Sequence, residues 1–211
     1  MPEERIIINI GRQLGSGGRT IGKMLAQELD CKFYDKEILY LAAKESGFSE
    51  SFFAQHDENK HFFKTLFHLH AQHVSDNNFY PNKFSQESLF QFQADAILKA
   101  SKEGRCVFVG RCADYILRDN PHAVNIFITA DLDFRIAQVS KRHECSRDEA
   151  LKIIHDKEDK RANYYNYYTG KKWGNAASYD LCVNVCALGM EGTKNMLVKF
   201  IREKAAKNNR K

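Results

Sequence analysis

Gly15, Ser16, Gly17, Gly18, Arg19 and Thr20 run without a break, and no other stretch of the chain is as well suited to hold phosphate. Their glycines admit backbone conformations closed to other residues, so the loop can turn several N–H groups to one side. Beside a helix N-terminus such a loop is an anion site. Arg19 adds a fixed cation, and Thr20 adds a hydroxyl with the reach to ligate a magnesium ion. Arg12 supplies a second charge just before the loop. Further on, Asp35 and Arg111 each follow a short strand-like run, and Arg142 and Arg161 lie in a segment dense in arginine and lysine. A carboxylate and guanidinium groups around a phosphate loop suit phosphoryl transfer. That chemistry depends on positioning and charge neutralisation more than on covalent steps.

Each of these residues also has a plainer reading. A tight strand-to-helix turn would use the same glycines. The loop's place, directly after Ile6-Ile7-Ile8-Asn9-Ile10 and directly before a helical pattern, favours phosphate binding. Asp35 would orient an acceptor group or a metal-bound water, or else cap a helix starting at Lys36. Arg111 would clamp an anionic acceptor, or pair with a carboxylate at a sheet edge. The loop departs from the P-loop pattern G-x-x-x-x-G-K-[ST] in both available registers. Closing the pattern on Gly18 puts Arg19 at the lysine; closing it on Gly17 puts Gly18 there. Arginine is a planar fork and lysine a mobile point charge, so neither register is a conservative match.

The elements that must position these residues can be read from periodicity. Arg5–Ile10 reads as a buried strand, and residues 19–29 as a helix with Ile21, Met24, Leu25 and Leu29 on one face. Lys32–Tyr34 is a short strand, followed by a helix through Ile38–Ala42 that stops at Gly47. Residues 48–84 collect Phe52, Phe53, Phe62, Phe63, Phe67, His68, His70 and His73, and read as a helical insertion with a loop at its tip. No third ligand matches the spacing of His70 and His73, so a solvated helix face is expected there. Ser85–Ser101 is helical, burying Leu89, Phe92, Ala96 and Ile97.

Cys106–Val109 is a buried strand that ends at Gly110-Arg111, and a helix continues through Ala113, Ile116 and Leu117. Ala123–Thr129 is the next strand, and Asp131 caps a helix carrying Leu132, Ile136 and Val139. Ser146-Arg147-Asp148-Glu149 is a capping box that opens another helix. Residues 140–165, approximately, then read as a hairpin whose arginines, Arg142 and Arg161 above all, would close over a phosphate site as a lid. A solvated amphipathic hairpin is the alternative. Tyr164, Tyr165, Tyr167 and Tyr168 read as packing. Leu181–Val185 is a last strand, and Lys194–Lys207 a closing amphipathic helix.

Strands alternating with helices predict an α/β fold, a P-loop NTPase-like parallel sheet with helices on both faces, over residues 1–211 as one domain. Ligands in such sheets bind outside the carboxyl ends of the strands, where the loop at 15–20, Asp35 and Gly110-Arg111 all fall. The chain carries 32 basic and 27 acidic residues, a mild excess that suits a small anionic ligand. No basic stripe with interleaved aromatics calls for nucleic acid. No apolar run of about 18 residues exists, so no membrane span is expected. Met1-Pro2-Glu3-Glu4 has no leader character, and none of the six cysteines forms a C-x-x-C pair. Both features point to reduced thiols in the cytoplasm. Oligomeric state is left open.

The sequence resembles the cytidylate-kinase-like family, a branch of the P-loop nucleoside monophosphate kinases. The resemblance is carried by Arg12-Gln13-Leu14-Gly15-Ser16-Gly17-Gly18-Arg19, Phe33-Tyr34-Asp35-Lys36-Glu37 and Val109-Gly110-Arg111-Cys112-Ala113-Asp114-Tyr115. Asp159-Lys160-Arg161 and Ser178-Tyr179-Asp180-Leu181 with Asn184 belong to the same pattern. It spans most of the chain, least of all 48–84. It implies a P-loop kinase-like domain, ATP as donor at the loop, Mg2+, and a nucleotide or similar acceptor near Arg12, Asp35 and Arg111. CMP or dCMP is the first acceptor it suggests. Classical cytidylate kinases carry a loop lysine where this chain has Gly18-Arg19, and Gly-Arg-Asp where it has Gly110-Arg111-Cys112. The residues also admit a kinase for another small metabolite, or a nucleotide-binding regulator without turnover.

Overall fold

Ile6, Ile8 and Ile10 point one way along the first strand and Ile7 the other, and all are buried. A strand covered on both faces belongs inside a parallel sheet, and the computed structural model, which describes residues 5–35 and 86–208, places it there. The strands are β1 (Ile7–Arg12), β2 (Lys32–Tyr34), β3 (Cys106–Val109), β4 (Ala123–Thr129) and β5 (Leu181–Asn184). They run parallel in the order β2-β3-β1-β4-β5. The helices among the described residues are α1 (Gly18–Glu28), α2 (Gln86–Lys102), α3 (Ala113–Ile116), α4 (Leu132–His143), α5 (Arg147–Thr169) and α6 (Gly189–Asn208).

The alternation along β1 sorts the helices into layers. Ile6, Ile8 and Ile10 meet Ile21 and Leu25 of α1 and Leu197 and Ile201 of α6. Ile7 and Phe108 meet Ile97 of α2 together with Ala113 and Leu117. Burial of each such side chain contributes about 1.5–3 kcal/mol, so Ile21 and Leu25 hold the start of α1 firmly against the end of β1. The α4–α5 hairpin has a core of its own, Ile136, Val139, Ala150 and Ile154, and Leu14 of the glycine loop packs against it. No helix among the described residues is long and apolar enough to cross a membrane, and all six cysteines are unpaired.

Several expectations shift. β1 continues through Gly11 and Arg12, which pair with Phe127 and Ile128; the periodicity gave no sign of this because neither residue is apolar. The buried side of α2 includes Ala94, Ile97 and Ala100, while Phe92 and Ala96 are only half-buried. α6 starts at Gly189 rather than Lys194. Asp131 precedes α4 but makes no side-chain cap. Its carboxylate instead accepts a 2.7 Å hydrogen bond from Asn184 Nδ2, tying α4 to the end of β5, and Leu132 is exposed. The capping box at Ser146 and Glu149 is formed. The helix expected after Asp35, the insertion at 48–84 with His70 and His73, and the side chain of Leu89 lie outside the described residues.

Candidate active site

β1 ends at Arg12 and α1 begins at Gly18, so the loop proper is residues 13–17. Gln13 N–H donates to the Ile128 carbonyl at 3.0 Å, and the Ser16 hydroxyl donates to the Gln13 carbonyl at 3.0 Å. Ser16 is fully buried, and its hydroxyl closes the loop from inside. Gly15 and Gly17 take left-handed φ values of 78° and 80°. A Cβ on Gly15 would lie 2.6 Å from the Arg135 carbonyl oxygen. Gly17 precedes the first turn of α1, beneath Met190. Thr20 is exposed in that first turn.

The hairpin is fastened to this loop. Glu158 Oε1 accepts from Leu14 N–H at 2.9 Å and from Arg135 Nη1 at 2.8 Å. Arg161 Nη1 donates to the Arg12 carbonyl at 3.2 Å. The side chains of Arg135 and Glu158 are only 9% and 17% exposed, so Glu158→Ala would leave a nearly buried guanidinium unpaired. Its expected cost is about 3 kcal/mol, read as a lower urea midpoint at an unchanged slope.

Guanidinium groups converge at the carboxyl edge of the sheet. Arg12 is hemmed in, and its pKa is lowered to about 9, first by burial and then by repulsion from Arg161 and Arg111, with Asp35 opposing. Its side chain runs over Gly18 to the α-carbon of Gly110. Among the described residues no hydrogen bond or ion pair engages its guanidinium. Arg19 Nε donates to Asp35 Oδ2 at 2.8 Å, and Nη2 closes on the same oxygen of this buried carboxylate. Arg161 also carries its charge at a cost, lowered by burial, relieved by Glu158 and opposed by Arg142. Arg142 is exposed in the last turn of α4.

Gly110, Arg111 and Cys112 have φ of 79°, 60° and 56°. A left-handed non-glycine residue costs roughly 1–2 kcal/mol, so this turn is held in place by its packing. Cys112, Ala113 and Leu117 are buried beneath it. Burial pushes the Cys112 thiol up to about 12, so it packs as a neutral thiol and is no nucleophile at neutral pH. The turn aims Arg111 at the Tyr164 hydroxyl, whose pKa burial pushes up to about 12. Tyr164 belongs to an aromatic group between α5 and α2 in which Phe90 and Tyr168 stack at 4.1 Å.

Behind Arg111, Asp114 Oδ2 accepts from the Tyr165 hydroxyl at 2.7 Å. Burial raises the Asp114 pKa against that hydrogen bond. Over the window between its ordinary and raised values the folded chain holds the proton more tightly, so stability falls as pH rises through it. Asp114→Asn keeps an acceptor for Tyr165 and removes the charge. It should raise the thermal midpoint at neutral pH, and the gain should shrink as pH falls below the ordinary carboxylate range. A gain independent of pH would contradict this.

The structure therefore gathers Arg12, Arg19, Asp35, Arg111 and Arg161 around the loop, and sets Arg142 at the rim. Sequence reasoning missed the Arg135–Glu158 pair and Met190, while its reading of Tyr164 as packing agrees with the ring contacts to Phe90 and Tyr168. The first is separated by 23 residues, and no local spacing announces it. Glu158 alone had a signal, lying one helical turn before Arg161.

A parallel β2-β3-β1-β4-β5 sheet with a glycine loop between its central strand and α1 is the architecture of a P-loop kinase. It is shared with a shikimate kinase from Bacteroides thetaiotaomicron at a TM-score of 0.54 and 14% identity, over 93% of this chain and 98% of that one. The chain belongs to the cytidylate kinase-like family, whose model matches residues 7–186. It is 27% identical over 194 residues to a cytidylate kinase of Pyrococcus horikoshii, covering 91% of this chain and 86% of that protein. A crystal structure of an uncharacterised protein from Eubacterium ventriosum superposes at a TM-score of 0.72 with 27% identity, over 94% of this chain and 99% of the other.

Proposed function

We propose that the protein is a nucleoside monophosphate kinase that moves the γ-phosphoryl group of ATP to CMP or dCMP. The observation that carries this reading is Arg12, a guanidinium unpaired among the described residues, set between the glycine loop and the Arg111 turn and repelled by its neighbours. Charge left in that state is relieved by a polyanion.

In this reading the backbone of Gly15, Ser16, Gly17 and Gly18 cradles the donor phosphates, aided by the N-terminus of α1. The exposed Thr20 hydroxyl fits a magnesium ion held mainly by phosphate oxygens, which would supply further charge neutralisation there. Arg19, fixed by Asp35, and Arg142 and Arg161 on the hairpin meet charge that develops on the transferring group. Arg12, Asp35 and Arg111 face the acceptor. Acceptor-dependent formation of ADP from ATP, run with CMP, dCMP and UMP, tests the proposal. Turnover with CMP or dCMP supports it. Turnover with another small metabolite alone would assign a different kinase, and ATP binding without turnover would assign a regulator.

Arg111→Lys separates the two sides of the site. A fork that grips an acceptor phosphate through two hydrogen bonds is lost. The acceptor KM should rise about tenfold or more, an effect of at least roughly 1.4 kcal/mol, with the ATP KM little changed. A collapse of the ATP KM alone would move Arg111 to the donor side.

A further inference from the structure

Gly18 is a glycine for a reason its backbone does not supply. Unlike Gly15 and Gly17 it has no left-handed φ, and it sits in the first turn of α1, where glycine weakens a helix. The reason is Arg12. A Cβ on Gly18 would lie 2.6 Å from Arg12 Cβ and 3.1 Å from Arg12 Cγ. The Arg12 backbone cannot retreat, because it pairs with Ile128 in the sheet. Further along the same side chain, a Cβ on Gly110 would overlap Arg12 Nη1. Two glycines thus flank the path of one arginine.

Gly17 directly precedes the helix, so the P-loop pattern closes on Gly17 and its lysine position falls on Gly18. We propose that Arg12 supplies from the end of β1 the phosphate-binding cation that the pattern puts on the helix, and that Gly18 is the space this exchange requires. The inference rests on the kinase reading above. The fork ends between the donor loop and the Arg111 turn, where one planar group can hold oxygens of two phosphates at once. A lysine leaving the helix would reach the donor alone. The chain has therefore relocated its loop cation instead of losing it.

The test uses the full chain with ATP, magnesium and a panel of CMP, dCMP and UMP. It compares wild type with Arg12→Gln, Arg12→Gly, Gly18→Lys and the double variant Arg12→Gly with Gly18→Lys. Thermal midpoint, ATP affinity by calorimetry and turnover are read for each. Arg12→Gln keeps the stem and removes the charge, and should lower kcat about a hundredfold or more at a nearly unchanged midpoint. Gly18→Lys should lower both midpoint and kcat. The double variant should have a higher midpoint than Gly18→Lys and turn over at least about tenfold faster than either of its single parents. Arg12→Gln with wild-type kcat, or a double variant no better than its worse parent, overturns the exchange and leaves the kinase reading standing. A wild type that turns over no acceptor removes both.

Discussion

Gly15→Val should abolish stabilisation of the protein by ATP. The wild type at about 100-fold excess of ligand over Kd should gain roughly 2.7 kcal/mol, and the variant none. Two effects combine. Position 15 holds φ at 78°, which a β-branched residue takes only at a cost. The new Cβ would also meet the Arg135 carbonyl oxygen at 2.6 Å. That oxygen is backbone of a packed helix and cannot swing aside, so the loop itself must move, and its N–H groups with it. Gly17→Val makes a useful contrast. Its Cβ would meet only the sulfur end of Met190, the far end of a flexible side chain, so its penalty should be the smaller. Equal ATP stabilisation in wild type and Gly15→Val would remove the loop from the phosphate site.

Arg161→Ala should lower kcat about a hundredfold or more while weakening ATP binding far less. Arg161 already touches the loop through the Arg12 carbonyl, and it is half-buried beside Glu158 with Arg142 repelling it. It is thus held against the loop before any ligand arrives, which the kinase reading places near the transferring group. A donor oriented in advance stabilises charge that appears only in the transition state, and its loss shows in kcat. Loss of the bond to Arg12 also loosens one attachment of the hairpin, so the thermal midpoint must be compared. Unchanged kcat in a folded variant would confine Arg161 to a structural role. Arg142, exposed at the rim, should matter less.

The sheet was legible because most of its strands are short apolar runs rich in Ile and Val, and the bounds of β2, β3 and β4 match the periodicity reading. Gly15, Asp35 and Arg111 could be placed at one edge because carboxyl ends of parallel strands share it. Contacts between distant segments could not be read. Glu158 serves the loop through Leu14 and Arg135; its place one turn before Arg161 is legible, but neither of those partners lies at helical spacing from it. Asp131 has the type and position of a helix cap, yet Asn184 from a distant strand takes its carboxylate. The sequence shows a lysine missing near Gly18. Only the packing shows that Arg12 fills the space a side chain there would need.

The most direct measurement of the central claim tracks the phosphoryl group itself. The protein is incubated with ATP labelled at the γ-phosphorus, magnesium, and CMP or dCMP, and the products are separated. Label is expected in CDP or dCDP, formed in step with ADP and lost in the Gly15→Val and Arg161→Ala variants. Label that stays in ATP, or leaves only as inorganic phosphate whichever of CMP, dCMP or UMP is present, would contradict it.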